Sequence, residues 1–188
     1  MPEEKQWDTF FNPKQILKKM GVSKKINDVV DFGCGYGTFA LPAAKLISGK
    51  VYAIDIEPEM IKITRKKAKA DNVKNVVAVL RDFVSKGTGL EGNSVDYAML
   101  FNILHAKNPE KLLNEAYRIL QKKGRLGIIH WNYDSNTPRG PPMKIRPKPA
   151  DCIKWAELAG FKLTKKINLQ PYHYGIMMSK ISIRRNKK

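Results

Sequence analysis

Short apolar runs alternate with amphipathic stretches along most of this chain. Val29-Val30, Val51 to Ile54, and residues 75–80, 94–101 and 125–131 are dense in Val, Ile, Leu and aromatic side chains, as buried strands are. Between them the apolar spacing turns helical. Met60, Ile61, Ile63 and Ala68 share one side of a segment over 57–71, and Lys62, Arg65, Lys66, Lys67 and Lys69 take the other. That segment starts with a proline and two acids, Glu57, Pro58 and Glu59, which suit a helix N-terminus. A second helix is predicted from Asn108-Pro109-Glu110 through Leu112, Leu113, Ala116, Ile119 and Leu120, with a turn at Gly124 before the fifth run. Ahead of the first run, residues 14–20 read as a short helix closed by Gly21. After the fifth, residues 151–159 read as a helix closed by Gly160, followed by terminal strands over 161–169 and 172–183. Strands alternating with helices predict an α/β fold around a parallel sheet.

One segment breaks the rhythm. Residues 132–149 hold five prolines and the cations Arg139, Lys144, Arg146 and Lys148. Prolines at this density exclude both helix and central strand, so a long loop is expected over the carboxyl edge of the sheet, in the place of a substrate lid. The expected organisation is therefore one domain over 1–188, with residues 1–24 as an N-terminal cap segment and 132–149 as a proline-rich lid. Phe10, Phe11 and Asn12 are candidates for covering a ligand, or for serving only as a hydrophobic staple.

The composition narrows the setting. Hydrophobic residues make up 43% of 188, enough for a core, and no apolar run is long enough to span a bilayer. The polar start, Met1-Pro2-Glu3-Glu4-Lys5, has no secretion-signal core, so a cytoplasmic, reduced setting is expected. Cys34 and Cys152 are far apart in sequence, the three histidines are scattered, and no metal site is expected. The net charge of +18 is uneven: residues 1–100 carry 16 basic and 12 acidic side chains, residues 101–188 carry 19 and 5. A basic half suits either a solvated surface or contact with phosphate backbones.

The chemistry concentrates in Asp31-Phe32-Gly33-Cys34-Gly35-Tyr36-Gly37-Thr38, which closes the first strand and opens a run through Leu41, Ala43, Ala44 and Ile47. A strand, a glycine-rich turn and a helix in that order make a nucleotide-type site. The spacing is G-x-G-x-G after an acid, not the G-x-G-x-x-G of dinucleotide binders. Asp55 then ends the second run, where a carboxylate can accept two ribose hydroxyls, and Arg81-Asp82-Phe83 follows the third.

In order and spacing these pieces resemble the class I S-adenosylmethionine-dependent methyltransferases, over about residues 25–132. The resemblance implies a Rossmann-like doubly wound fold with a seven-stranded, mostly parallel sheet and an antiparallel C-terminal strand. It implies S-adenosyl-L-methionine as cofactor, held by Asp31, Gly33, Cys34, Gly35, Gly37, Asp55 and Ile56, with Asp82 at the adenine amino group, Phe83 against the ring, and Asn102 after the fourth strand. Asp96 matches a structural acid of the family. The Asp/Asn-Pro-Pro-aromatic motif of amino-methylating nucleic-acid enzymes is missing: here Asn102-Ile103-Leu104-His105 stands in that place. No Pro-Cys nucleophile is present, and two cysteines are too few for an arsenite-type site.

Methyl transfer is chiefly an alignment problem, and a base is needed only for a protonated acceptor. His105 and Tyr133 are the catalytic candidates; His130, on a buried strand, reads as structural. The leading expectation is an enzyme that methylates a small-molecule acceptor. RNA or protein as substrate, docked through the basic half, is the alternative; a non-catalytic cofactor-binding module and an NAD oxidoreductase are weaker. Oligomeric state is open.

Overall fold

The computed structural model describes residues 12–181. Its elements run α1 (Pro13–Lys19), β1 (Val29–Phe32), α2 (Ala40–Ala44), β2 (Val51–Asp55), α3 (Pro58–Ala70), β3 (Val76–Leu80), α4 (Phe83–Lys86), β4 (Val95–Phe101), α5 (Pro109–Ile119), β5 (Leu120–Trp131), a 3-10 turn (Met143–Ile145), α6 (Pro149–Leu158), β6 (Phe161–Leu169) and β7 (His173–Lys180). Seven strands form one sheet in the order β3-β2-β1-β4-β5-β7-β6. The first five are parallel, and β7 and β6 run antiparallel beside β5. The strand order reverses between β1 and β4, so their carboxyl ends flank the crevice where open α/β sheets bind ligands.

Two cores sandwich the sheet. Leu17, Met20, Val29, Ala43, Ala53, Ile61 and Met99 pack on one face, and Val30, Phe32, Leu100, Leu112, Ala116, Ile128 and Met178 on the other. Adjacent β1 residues serve opposite faces, and the strand is buried throughout, as a central parallel strand must be. Cys34 belongs to the first core and Cys152 to the second; both thiols are free. Asp96, at the head of β4, accepts the Asn27 and Asp28 N–H groups at 2.9 Å each, a structural use of that acid.

Boundaries differ from expectation where tertiary contacts override local signals. Strand β5 begins at Leu120, not Arg125, because Leu120 pairs with Val95 before the register shifts; the expected turn at Gly124 lies inside the strand, next to Lys123 at φ +65°. Phe83–Lys86 forms a helical turn capped by Asp82, which no apolar periodicity announced. The expected extension of the last strand past residue 181, and the expected roles of Phe10 and Phe11, lie outside the described residues.

The proline-rich segment is ordered around one side chain. Arg146, only 7% exposed, donates to the carbonyls of Asn132, Asp134, Arg139 and Pro141 and to the Thr137 hydroxyl, at 2.6–3.3 Å. A charged guanidinium is stable there because all its N–H groups point at oxygen. The prolines leave many carbonyls without a helix or sheet partner, and Arg146 gathers them. The segment is thus a folded cap rooted at the end of β5.

Candidate functional site

The turn between β1 and α2 is held by residues of two neighbouring elements, β2 and α3. From β2, the Ile54 carbonyl accepts the N–H groups of Gly33 and Cys34 at 2.9 and 3.0 Å. Asp55 Oδ2 accepts the Gly35 N–H at 2.8 Å, and its Oδ1 accepts the Glu57 N–H at 3.0 Å. From α3, buried Thr64 donates its hydroxyl to the Gly35 carbonyl at 2.9 Å, and Lys67 reaches the Tyr36 carbonyl at 3.2 Å. Both backbone groups of Gly35 are therefore satisfied by side chains from outside the turn.

Gly33 shows why the turn needs glycine. Its φ is +71°, and a Cβ there would stand 2.8 Å from Ile103 Cδ1 and 3.7 Å from Phe83 Cζ. The backbone lies open toward the cleft between Phe83 and Ile103. That cleft, about 230 Å³, is lined by Gly33, Cys34, Gly35, Tyr36, Thr38, Phe39, Asp55, Ile56, Phe83, Phe101, Asn102 and Ile103. It brings together a carboxylate from Asp55, the glycine backbone, and the apolar side chains of Phe83, Ile103 and the exposed Ile56, groups that suit a ligand with both polar and flat apolar parts. Each Asp55 oxygen spends one lone pair on a backbone N–H and keeps another for a ligand hydroxyl. Asn102 enters at φ +54° with a buried Oδ1 that meets no partner. An orphaned acceptor beside an oriented carboxylate fits a polar ligand. Thr38 also belongs to a second cleft of about 730 Å³ beyond Gly37, walled by Lys14, Lys18, Lys45 and Lys67. That cleft is larger, but its carboxylate, Asp71, is paired with Lys45 at 2.7 Å, so its charge is mainly that of the lysines.

Burial, and then the neighbouring Asp55 charge, push the Asp31 carboxyl up to about 7. Burial likewise raises the Cys34 thiol, whose Sγ faces the Gly35 carbonyl, so it is a poor nucleophile. The Cys152 thiol is pushed up to about 12 by burial and lies 3.4 Å from the Tyr174 hydroxyl.

Most of the residues singled out from sequence meet here. Gly33, Cys34, Gly35, Asp55, Ile56, Phe83 and Asn102 line one cleft, and Gly37 lines the larger neighbour. Asp31 is buried, within electrostatic reach of Asp55. Asp82 stands at the end of β3, but its carboxylate is taken up by the Ser85 N–H and hydroxyl as the cap of α4, and it is not in the cleft lining. Tyr133 is 45% exposed at the base of the cap, under the Lys148 ammonium at 4.7 Å, and away from the cleft lining. His105 follows Asn102 by one turn and packs edge-to-face on His130, ring centroids 5.5 Å apart. Sequence reasoning missed Tyr36, Thr38, Phe39, Phe101 and Ile103 in the lining, and Thr64 and Lys67 behind it. Thr64 left a trace: a polar residue at helical spacing from Met60 and Ile61, on the apolar side of α3.

A methyltransferase-domain family model matches residues 23–159, most of the described chain. The protein belongs to the class I S-adenosylmethionine-dependent methyltransferase family. Membership brings S-adenosyl-L-methionine as the family's methyl donor. The fold of this methyltransferase is shared with a solved S-adenosylmethionine-dependent methyltransferase of Aquifex aeolicus, at TM-score 0.82 and 26% identity, covering 92% of this chain and 91% of that one. A Sulfolobus solfataricus structure assigned to the type 11 methyltransferases aligns at TM-score 0.74 and 28% identity, covering 92% and 95%. Among curated sequences, a demethylmenaquinone methyltransferase of Listeria monocytogenes is 30% identical over 138 residues, 70% of this chain and 54% of the relative. The chain spans about half the length of these demethylmenaquinone methyltransferases.

Proposed function

We propose that the protein transfers a methyl group from S-adenosyl-L-methionine to a small-molecule acceptor. The observation that carries this is the cleft itself: Asp55, oriented by the Gly35 and Glu57 N–H groups, faces an open glycine backbone between Phe83 and Ile103. In this reading Asp55 binds the ribose hydroxyls, Phe83 and Ile56 flank the adenine, and Gly33 to Gly37 pass under the amino-acid portion. Asp82 offers the adenine amino group its backbone or, once freed from Ser85, its carboxylate. When bound, the donor supplies an electrophilic methyl on a sulfonium. The chain orients it, keeps water out and leaves the acceptor to attack. The cap over 132–149 serves as the acceptor's roof. The similarity to demethylmenaquinone methyltransferases favours a small acceptor.

RNA docking is the second reading, favoured by the excess of cations over 101–188. Lys162, Lys165 and Lys166 are exposed on β6, but β6 is the sheet edge, where lysines and a register shift block edge-to-edge pairing, which already accounts for them.

Calorimetric titration with S-adenosylhomocysteine, with NAD as control, tests the proposal. Micromolar binding of the first alone is the expected result; no binding of the first, or equal binding of both, overturns it.

A further inference from the structure

The two edges of the sheet are built differently. At one end, β6 carries exposed Lys162, Lys165 and Lys166 and a register shift against β7, the usual protection of a free edge. At the other end, β3 reads Val76-Val77-Ala78-Val79-Leu80, with no charge, no proline and an unbroken register against β2. Val77 is 38% exposed and Leu80 50%.

Every second residue of β3 turns its backbone away from the sheet. The Asn75 carbonyl accepts the Val51 N–H, and the Arg81 N–H donates to the Asp55 carbonyl, so the odd-numbered residues face β2. Val76, Ala78 and Leu80 therefore point N–H and C=O outward. Among the described residues, the side chain that meets these groups is Arg65, whose Nη2 donates to the Ala78 carbonyl at 2.7 Å. That bond lays the cationic side of α3 along the edge. Lys69, one turn beyond Arg65, and Lys74, just ahead of β3, are exposed. No described carboxylate pairs with Arg65, Lys69 or Lys74.

We infer that the free edge of β3 receives an extended, acidic segment of a partner protein as an added strand, with one of its carboxylates on Arg65. No residue of this edge lines either cleft, so the inference stands apart from the methyltransferase reading.

Charge selects the occupant. Pairing β3 with β3 of a second copy about Ala78 sets Arg65 against Arg65. Pairing it with β6 of a second copy sets Arg65 against Lys162, Lys165 and Lys166. Both add like charges to a chain already at +18. An acidic strand gains the same main-chain hydrogen bonds with opposite charge at the rim. Arg65 spends one of its five N–H donors on Ala78, and the Ala78 carbonyl keeps a lone pair for an incoming N–H. The two faces also ask for different side chains. Val76 and Ala78 lie on the face packed with Ile61 of α3, where a neighbouring strand would meet Arg65 and Lys69. Val79 and the exposed Val77 lie on the other, which offers apolar contact. The segment that fits alternates acid with apolar.

The test adds a capped heptapeptide alternating Val and Glu to the full chain and follows amide hydrogen exchange by NMR. At about 1 mM peptide, exchange is expected to slow severalfold at the Val76, Ala78 and Leu80 N–H groups, while Val77 and Val79, already facing β2, stay as they were. The same peptide with Lys for Glu, or with methyl groups on the amides that would face β3, is expected to slow nothing. Arg65→Gln is expected to weaken the Glu peptide about fivefold, the worth of an exposed ion pair. Lys166→Gln, an equal loss of charge at the far edge, is expected to leave its affinity unchanged. Slowing by the N-methylated peptide, an equal loss in Lys166→Gln, or no slowing by the Glu peptide overturns the inference. Slowing of the same amides by raising the protein concentration alone also overturns it, because the edge then takes a second copy.

Discussion

Two aspartates at neighbouring strand ends are set apart by their surroundings, and each carries a consequence that can be measured. Asp55 is hydrogen-bonded by backbone N–H groups and oriented for a ligand. Asp55→Ala removes a two-point contact and is expected to weaken S-adenosylhomocysteine by tenfold or more in calorimetry, since one charge-assisted hydrogen bond is worth about 1.5–3 kcal/mol. Asp31 is buried and its carboxyl stands at about 7, well above the unfolded value of 3.8. The native state thus binds that proton more tightly than the unfolded chain, and this group's contribution to stability falls as pH rises from about 4 to about 7, then levels. Asp31→Asn removes the titration, so its melting temperature relative to wild type is expected to climb over that range and then hold. A constant difference between the two from pH 4 to 8 would mean that Asp31 ionises normally in the fold.

At the scale of elements, helix α3 is the brace of the glycine turn. Thr64 and Lys67, one turn apart, hold consecutive carbonyls of the glycine turn. Thr64→Val keeps the shape but strands the Gly35 carbonyl, at a cost of about 1–3 kcal/mol. A lower melting temperature together with weaker S-adenosylhomocysteine binding is expected; a loss of stability alone would show that the turn does not depend on α3. The loop between α4 and β4 has its own anchor. Glu115 on α5 accepts the Thr88 N–H and hydroxyl at 2.7 and 2.6 Å and pairs with Arg118. Burial pulls its carboxyl upward, but Arg118 and Thr88 outweigh that and hold it at about 2, against 4.5 unfolded. The stabilisation is fully present above 4.5 and is lost as pH falls toward 2. In urea titrations Glu115→Gln is expected to be clearly weaker than wild type at pH 7 and nearly level with it at pH 2.5. Strand β5 shows the same economy: Gly127 leaves room for Tyr97, whose hydroxyl crosses it to the Met20 carbonyl at 2.8 Å and ties α1 to the sheet.

For the whole molecule, charge is the dominant quantity. A chain with net +18 repels itself, and salt screens that repulsion over a Debye length of about 8–10 Å. Raising sodium chloride from 20 to 300 mM is expected to raise the melting temperature. If the RNA reading held instead, RNA would bind with a steep salt dependence, because phosphate contacts release counterions. Salt-independent behaviour in both experiments would show that the surface charges are too far apart to matter.

Much of this was legible beforehand because it is local. The alternation of apolar blocks and amphipathic stretches determined the α/β order, since side-chain period follows backbone geometry within a few residues. Gly33, Gly35, Gly37 and Asp55 could be read as a ligand turn because a left-handed backbone and a strand-end carboxylate leave marks in residue type. The tertiary structure alone decided which distant residues stand together. Thr64 reaches the glycine turn across 29 positions, and His105 meets His130 across two strands. Arg146, one of four cations in a proline-rich segment, becomes the centre of a cap only once the chain has curled round it. Asp82 turned inward to Ser85 because a four-residue helix is stabilised by its cap and neighbours, not by a period long enough to read. Burial, with the neighbouring Asp55 charge, raises the Asp31 carboxyl to about 7, and burial leaves Asn102 Oδ1 and His105 Nδ1 without partners. Residue type supplies the groups; solvent exclusion and proximity, which only the fold creates, give them their chemistry.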